Sequence, residues 1–254
     1  MSDLVIQSET QANIGHARWV RVLHWVTAGS LLTLAFTGFV ILMAHPRLYW
    51  GEVGNDLTPA LIELPISRNH KHGGWQKRTT FYLTPSSPIT ANRTYEIFNQ
   101  NGWGRSLHFL SAWLLIVPGF GYLLAGVLTR HFRRHIWPRG PDLAPGAVYR
   151  DLIAHLRFRI PRGTGGPQYG VLQKLAYSGV IFVVVPLALL TGLTMSPAVT
   201  AAYPFLLTLF GGFQSARTIH FFASLALVLF VLAHVVMVAM SGFKRQMRAM
   251  ILGK

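Results

Sequence analysis

The sequence predicts an all-α integral membrane protein, a bundle of four transmembrane helices with both termini in the cytoplasm. Three observations carry that reading. Hydrophobic residues make up 51% of the 254 and charged residues only 12%, about half the charged share of an ordinary soluble domain. The apolar residues gather into four long runs rather than amphipathic stripes, and each run exceeds the ~20 residues that cross a bilayer core. Lys and Arg outnumber Asp and Glu by 23 to 8, a formal charge of +15. Such an excess fits a nucleic-acid binder or a membrane protein with basic cytoplasmic loops, and the apolar runs decide for the membrane. The absence of cysteine excludes disulfides, iron–sulfur clusters, cysteine-ligated zinc and thioether-attached haem.

The elements follow in order along one domain, 1–254. A first span at 19–43 holds the run Val22–Met43, with His24 its only ionisable residue. The 44–103 loop is rich in Pro, Gly, Asn and aromatics without a clear period, and it is too long to be idle. Its His70 and His72 read as solvated rather than as metal ligands. The second span, 105–128, is interrupted only by His108. In the 129–170 loop, AVYRDLIAHLRFRI at 147–160 has the pattern of a short basic amphipathic helix on the membrane surface. A third span at 171–195 carries Lys174 in its first turn, and the loop after it is uncharged and apolar around Pro204. The fourth span, 216–240, contains both His220 and His234. Pro118 and Pro186 lie within spans, where proline bends a helix.

Topology comes from the basic residues. With both termini on one side, that side and the 129–174 segment hold 15 of the 23 Lys and Arg, and the other side holds 8. Four of the 8 acidic residues fall on each side, so the net charges are +11 and +4. The positive-inside rule places the termini and the 129–170 loop in the cytoplasm and the 44–103 loop in the periplasm. The first apolar run is too long for a signal peptide and has no small-residue cleavage site, so it is expected to remain as an anchor.

Ionisable residues inside spans are functional candidates. Four of the 11 histidines lie there and no Asp or Glu does, which disfavours coupled transport and leaves neutral imidazole, a good axial ligand for haem iron. His220 and His234 are 14 residues apart, close to four helical turns and ~21 Å of rise, so both fall on nearly one face. His24 starts near the inner surface and His108 near the outer one. Depth alone then pairs His108 with His220 and His24 with His234, giving two bis-histidine b-type haems.

Three of these histidines follow an arginine by three residues: Arg21, Arg105 and Arg217. That spacing shares a helix face, and it sets each guanidinium one turn nearer the surface, where a haem propionate would meet it. The starts of spans two and four echo each other as RSLHFLSA and RTIHFFAS. His234 has no such arginine, so the inner site would draw on Arg21, Arg18 or C-terminal bases. Gly29, Gly38, Gly121, Gly126, Gly179 and Gly192 leave room for close helix contact or a flat macrocycle. His16, His45, His131, His135 and His155 lie at or beyond the interfaces.

The order His24, His108, then His220 with His234 resembles the bacterial di-haem cytochrome b family. It includes the membrane cytochrome subunits of nickel–iron hydrogenases, formate dehydrogenases and thiosulfate reductases. Gln173-Lys174 followed by Thr191-Gly192-Leu193 is similar to the family's QK…TGL stretch. The segments HPRLYWGE at 45–52 and FGGFQSARTIHF at 210–221 look closest to thiosulfate reductase cytochrome b subunits. The resemblance implies an electron-transfer subunit, with no catalytic residue of its own, in the bacterial inner membrane. A periplasmic catalytic partner, favoured as a molybdopterin oxidoreductase, would exchange electrons with the outer haem, and quinone or quinol would react near the inner one. The asparagine that lines the quinone pocket in formate dehydrogenase relatives has no counterpart in Gln168–Lys174, so Gln173 and Lys174 stand only as placeholders. The alternative is a stand-alone di-haem cytochrome that reacts with quinone and directly with a small oxidant or reductant. Superoxide is an example, steered by the basic outer residues. A haem-free scaffold is a third class.

Overall fold

The computed structural model describes residues 18–55, 58–66, 101–157 and 170–253, with Asn101, Arg134, His135, Pro141, His155 and Leu156 followed as backbone alone. His16, His70, His72, residues 158–160 and Gln168 lie outside the described residues. Four helices are long and apolar enough to cross a membrane among those described: Arg18–Ala44, Gly102–Leu128, Val171–Thr194 and Phe213–Met240, of 27, 27, 24 and 28 residues. In hydrocarbon the backbone must satisfy its own hydrogen bonds, so such apolar runs become helices. At 1.5 Å per residue the shortest rises about 36 Å, more than the ~30 Å core.

The elements are α1 (Arg18–Ala44), a strand pair β1 (Arg47–Leu48) and β2 (Ile62–Glu63), and α2 (Asn101–Leu128). A π-helical turn at Phe132–Ile136 and a 3-10 turn at Gly140–Leu143 lead to α3 (Pro145–Leu156). The third span comprises α4 (Val171–Gly179), a π-helical turn at Val180–Val184, and α5 (Val185–Thr194). Two short helices, α6 (Pro197–Ala202) and α7 (Phe205–Phe210), precede α8 (Phe213–Met240), and α9 (Phe243–Ile251) ends the chain.

Pro186 accounts for the break in the third span. It lacks the N–H that would bond to the Phe182 carbonyl, and its ring crowds that oxygen. The preceding turn widens to π geometry, with the Val185 N–H reaching back to the Val180 carbonyl. Such single π-turns absorb a local misfit inside an α-helix. Pro118, by contrast, sits within α2, whose helical run continues on both sides.

Burial is inverted relative to a soluble protein. Thr37, Thr191, Thr194, Ser215 and Ala216 are wholly buried, whereas Leu32, Val117, Phe120 and Leu229 are exposed. Small and hydroxylic residues let membrane helices approach one another, and large apolar side chains face lipid. The buried threonine hydroxyls donate within their own helices: Thr37 to the Thr33 carbonyl at 2.7 Å, Thr191 to Leu187 at 2.7 Å and Thr194 to Leu190 at 2.8 Å.

The chain divides into two compact units, each drawing on all four spans. The first comprises residues 1–31, 114–176 and 229–254. Here α2 ends in a left-handed turn at Arg130, φ +56°. The chain then folds back so that Phe132 and Ile136 are buried. Gly126 makes room for the Phe132 ring, which a Cβ there would overlap. At the C-terminus, α9 lies against α1: Arg21 Nη1 donates to the Ile251 carbonyl at 2.7 Å and Trp25 Nε1 to Met250 at 3.2 Å.

Two carboxylates tie α4 to the segment before it. Asp151 Oδ2 accepts the Leu172 N–H at 2.8 Å, satisfying a donor of the first turn of α4. Asp142 Oδ2 accepts from Lys174 Nζ at 2.7 Å and from the Arg139 N–H at 2.9 Å. The Lys174 hydrogen bond first, and then that of Arg139, hold the Asp142 carboxyl below the usual carboxylate range. A depressed carboxylate stabilises the fold above its ordinary pKa, and that contribution is lost as pH falls through the lowered value. Asp142→Asn is expected to cost less than about 1 kcal/mol near neutrality, since the pair is partly exposed. It should also flatten the acid limb of stability. Unfolding midpoints of parent and variant between neutral and acid pH check this, and parallel curves would refute it.

The second unit comprises residues 32–113 and 177–228. β1 and β2 pair antiparallel, Arg47 opposite Glu63 and Leu48 opposite Ile62. This fixes Pro46–Tyr49 as a fully buried segment against the start of α8. The first N–H groups of any helix lack intrahelical partners. In α8 those of Gln214 and Ser215 donate to the Gly51 carbonyl at 2.9 and 3.2 Å, while Ser215 Oγ accepts from the Gly51 N–H at 2.7 Å. Thr218 Oγ1 donates to the Tyr49 carbonyl at 2.6 Å. Gly212 permits this docking, with φ +111° and its α-carbon so close to Gly51 that a Cβ would lie 2.5 Å from that residue's carbonyl.

Candidate functional site

Each unit contains one pair of facing histidines. In the second unit, His108 of α2 and His220 of α8 have ring centroids 6.3 Å apart with planes inclined at 65°. In the first, His24 of α1 and His234 of α8 are 6.2 Å apart at 55°. The depth argument from the sequence had joined the same residues. The placement follows from helix geometry: His220 and His234 share a face of one long helix, and each meets a ring from a different span.

The His108–His220 pair is held by two matching steps. His108 Nδ1 lies 2.9 Å from Thr37 Oγ1. His220 Nδ1 lies 3.1 Å from Thr191 Oγ1 and 2.9 Å from the Ala188 carbonyl. The residue after each threonine is glycine. A Cβ on Gly38 would stand 3.6 Å from His108 Cε1, and one on Gly192 would stand 3.3 Å from His220 Cε1. The sequence alone gives Thr37 no role, and Thr191 stands out only within the TGL stretch. The available signal was the repeated Thr-Gly, at 37–38 and 191–192.

The His24–His234 pair is framed by aromatic rings. Trp25 meets His24 edge-on at 5.3 Å, and Phe230 stacks on His234 at 6.4 Å and 21°.

The three candidate arginines differ in setting. Arg217 Nη2 donates to the His45 carbonyl, and its Nη1 lies 3.5 Å from Gln214 Oε1. Arg105 is exposed, whereas Arg47 is 1% exposed. Sequence reasoning did not single out Arg47, because the aperiodic loop gives no sign that the strand pair will bury it. Arg21 is bonded to the C-terminal end of α9.

The remaining candidates have structural partners. Lys174 is paired with Asp142, and Gln173 Oε1 accepts the Gly170 N–H at 3.3 Å. His45 stacks on Tyr49 at 5.8 Å, and His131 lies edge-on to Tyr122 at 6.3 Å. No cluster of three or more His, Asp or Glu residues able to hold a metal ion occurs among the described residues.

Comparison with known proteins adds two findings. Residues 15–253 match the family described as prokaryotic cytochrome b561. The chain is also 29% identical over 238 residues to a protein of Azospira oryzae described as a putative protein-methionine-sulfoxide reductase subunit, YedZ1, covering 94% of this chain and 96% of that one. No solved structure matches.

Proposed function

The chain belongs to the prokaryotic cytochrome b561 family, and from that premise we propose that it is the di-haem, membrane-anchoring electron-transfer subunit of a quinone-linked oxidoreductase. Membership makes it a multi-pass bacterial membrane protein that carries b-type haem and transfers electrons. The finer reading rests on one observation, the two facing histidine pairs.

Their spacing fits the group. Two imidazoles on opposite sides of one metal atom, with bonds of about 2.0 Å and about 1.1 Å more to each ring centre, have centroids about 6.2 Å apart. The observed separations are 6.3 and 6.2 Å. His108 with His220 and His24 with His234 would hold one haem each. Haem held by two imidazoles would supply a one-electron couple, which suits electron transfer. Arg105 and Arg217 would take the propionates of one haem by charge-assisted hydrogen bonds, with Arg217 fixed by the His45 carbonyl. Arg21, seated by Ile251, would serve the other.

With the termini cytoplasmic, the 44–103 loop and the start of α8 would face the periplasm and form the docking side for a catalytic partner. The description of the Azospira oryzae relative as a reductase subunit supports a partnered cytochrome, and a molybdopterin-type reductase is the partner proposed. Quinone or quinol would react near His24 and His234.

The test is purification of tagged chain from bacterial membranes. Pyridine haemochrome analysis should find about two b haems per chain, and a soluble molybdenum-containing subunit should copurify. Absence of haem overturns the reading. Two haems with no partner, and rapid oxidation or reduction by superoxide, would establish the stand-alone cytochrome instead.

A further inference from the structure

The same small device occurs twice, once on α1 and once on α5, and each copy grips one ring of the His108–His220 pair. From it we infer that Thr37-Gly38 and Thr191-Gly192 are positioning steps that lock both rings as Nδ1–H tautomers and thereby present Nε2 of each to a single metal atom. The inference rests on the bis-histidine reading and deepens it.

Hydrogen accounting gives the tautomer. A threonine hydroxyl has one proton. Thr37 spends it on the Thr33 carbonyl and Thr191 on the Leu187 carbonyl, both at 2.7 Å. Each Oγ1 therefore meets the neighbouring Nδ1, at 2.9 and 3.1 Å, as an acceptor. His220 Nδ1 has a second contact, the Ala188 carbonyl at 2.9 Å, which also only accepts. The His220 ring must then carry hydrogen on Nδ1, leaving the Nε2 lone pair as the sole metal-binding site, and the matching Thr37 contact assigns His108 the same tautomer.

Gly192 explains how the His220 ring reaches a carbonyl already used by its helix. In an α-helix the carbonyl of residue i points toward residue i+4, whose side chain normally covers it. Residue i+4 is Gly38 for Leu34 and Gly192 for Ala188. Without a Cβ at Gly192, the His220 ring edge settles over the uncovered Ala188 oxygen. The fit is tighter at Gly192, where an added Cβ would stand 3.3 Å from the ring against 3.6 Å at Gly38. Thr191 and Gly192 thus form a two-acceptor notch for one N–H, and Thr37 with Gly38 offers His108 the same hydroxyl and the same open edge.

A metal-bound imidazole that donates from its other nitrogen gains basicity, which stabilises oxidised iron. Valine keeps threonine's shape and removes the acceptor, so it should raise the potential of one haem and leave the other unmoved. Parent, Thr37→Val, Thr191→Val and the corresponding serine variants are purified and titrated potentiometrically, with haem content and low-spin EPR measured in parallel.

The expected result is a positive shift of the same single component in both valine variants, with a changed EPR signal and recovery by serine. Gly192→Ala should disturb that component more than Gly38→Ala. Loss of that haem in the valine variants with retention in the serine variants also supports the inference. Unchanged potentials in valine variants carrying both haems overturn it while leaving the bis-histidine reading intact. Equal loss in valine and serine variants overturns it too. A parent protein without two haems overturns both.

Discussion

Alanine at His220 is expected to remove one of the two proposed haems, and alanine at His108 the same one. His24→Ala and His234→Ala should remove the other. The decisive comparison is between double variants. His108→Ala with His220→Ala should lose no more haem than either single change, because both residues serve one iron. His24→Ala with His108→Ala should leave none, because each pair has lost a ligand. Haem content per chain, about two in the parent, about one and about zero in these doubles, is read by pyridine haemochrome. One haem surviving the His24/His108 double change would mean that the rings at 6.3 and 6.2 Å are not the ligand pairs.

Gly212→Ala is expected to be the most damaging substitution outside the histidines. The backbone is at φ +111°, a conformation that costs an L-residue about 1–3 kcal/mol. The added Cβ would also stand 2.5 Å from Gly51 backbone atoms, which cannot turn aside as a side chain can. Overpacking adds a similar cost, for a total of about 3 kcal/mol or more. The change would also pull Gly51 away from the Gln214 and Ser215 N–H groups, leaving the start of α8 without its cap. Thermal unfolding in detergent should show a midpoint well below that of the parent. Gly126→Ala should fall less, because the obstruction there is the Phe132 ring, which can rotate. Equal midpoints for parent and Gly212→Ala would refute the argument.

The spans were legible because bilayer thickness sets the length of an apolar run, and the histidine pairs because helix rise converts sequence position into depth. Both are one-dimensional rules. What stayed hidden depends on contacts between distant segments. Thr37 reads as an ordinary helical threonine bonded to its own backbone, which it is; that its remaining lone pair faces His108 depends on how α1 meets α2. Arg47 stands in a loop without periodicity, and its burial follows from pairing with Glu63 and from docking on α8 some 165 residues later. Pro186 marks a disturbance in the third span, but a bend and a π-turn are equally compatible with one missing N–H.

The two histidines of α8 also set an order of assembly. His24 and His108 are synthesised before the partners they face on α8, and the Gly51 carbonyl before the N–H groups of Gln214 and Ser215. A nascent chain halted before residue 213 holds half of each pair and an uncapped docking loop. On this reading cofactor capture would have to follow insertion of α8. Until then the spans already inserted must persist in the bilayer with both half-sites open.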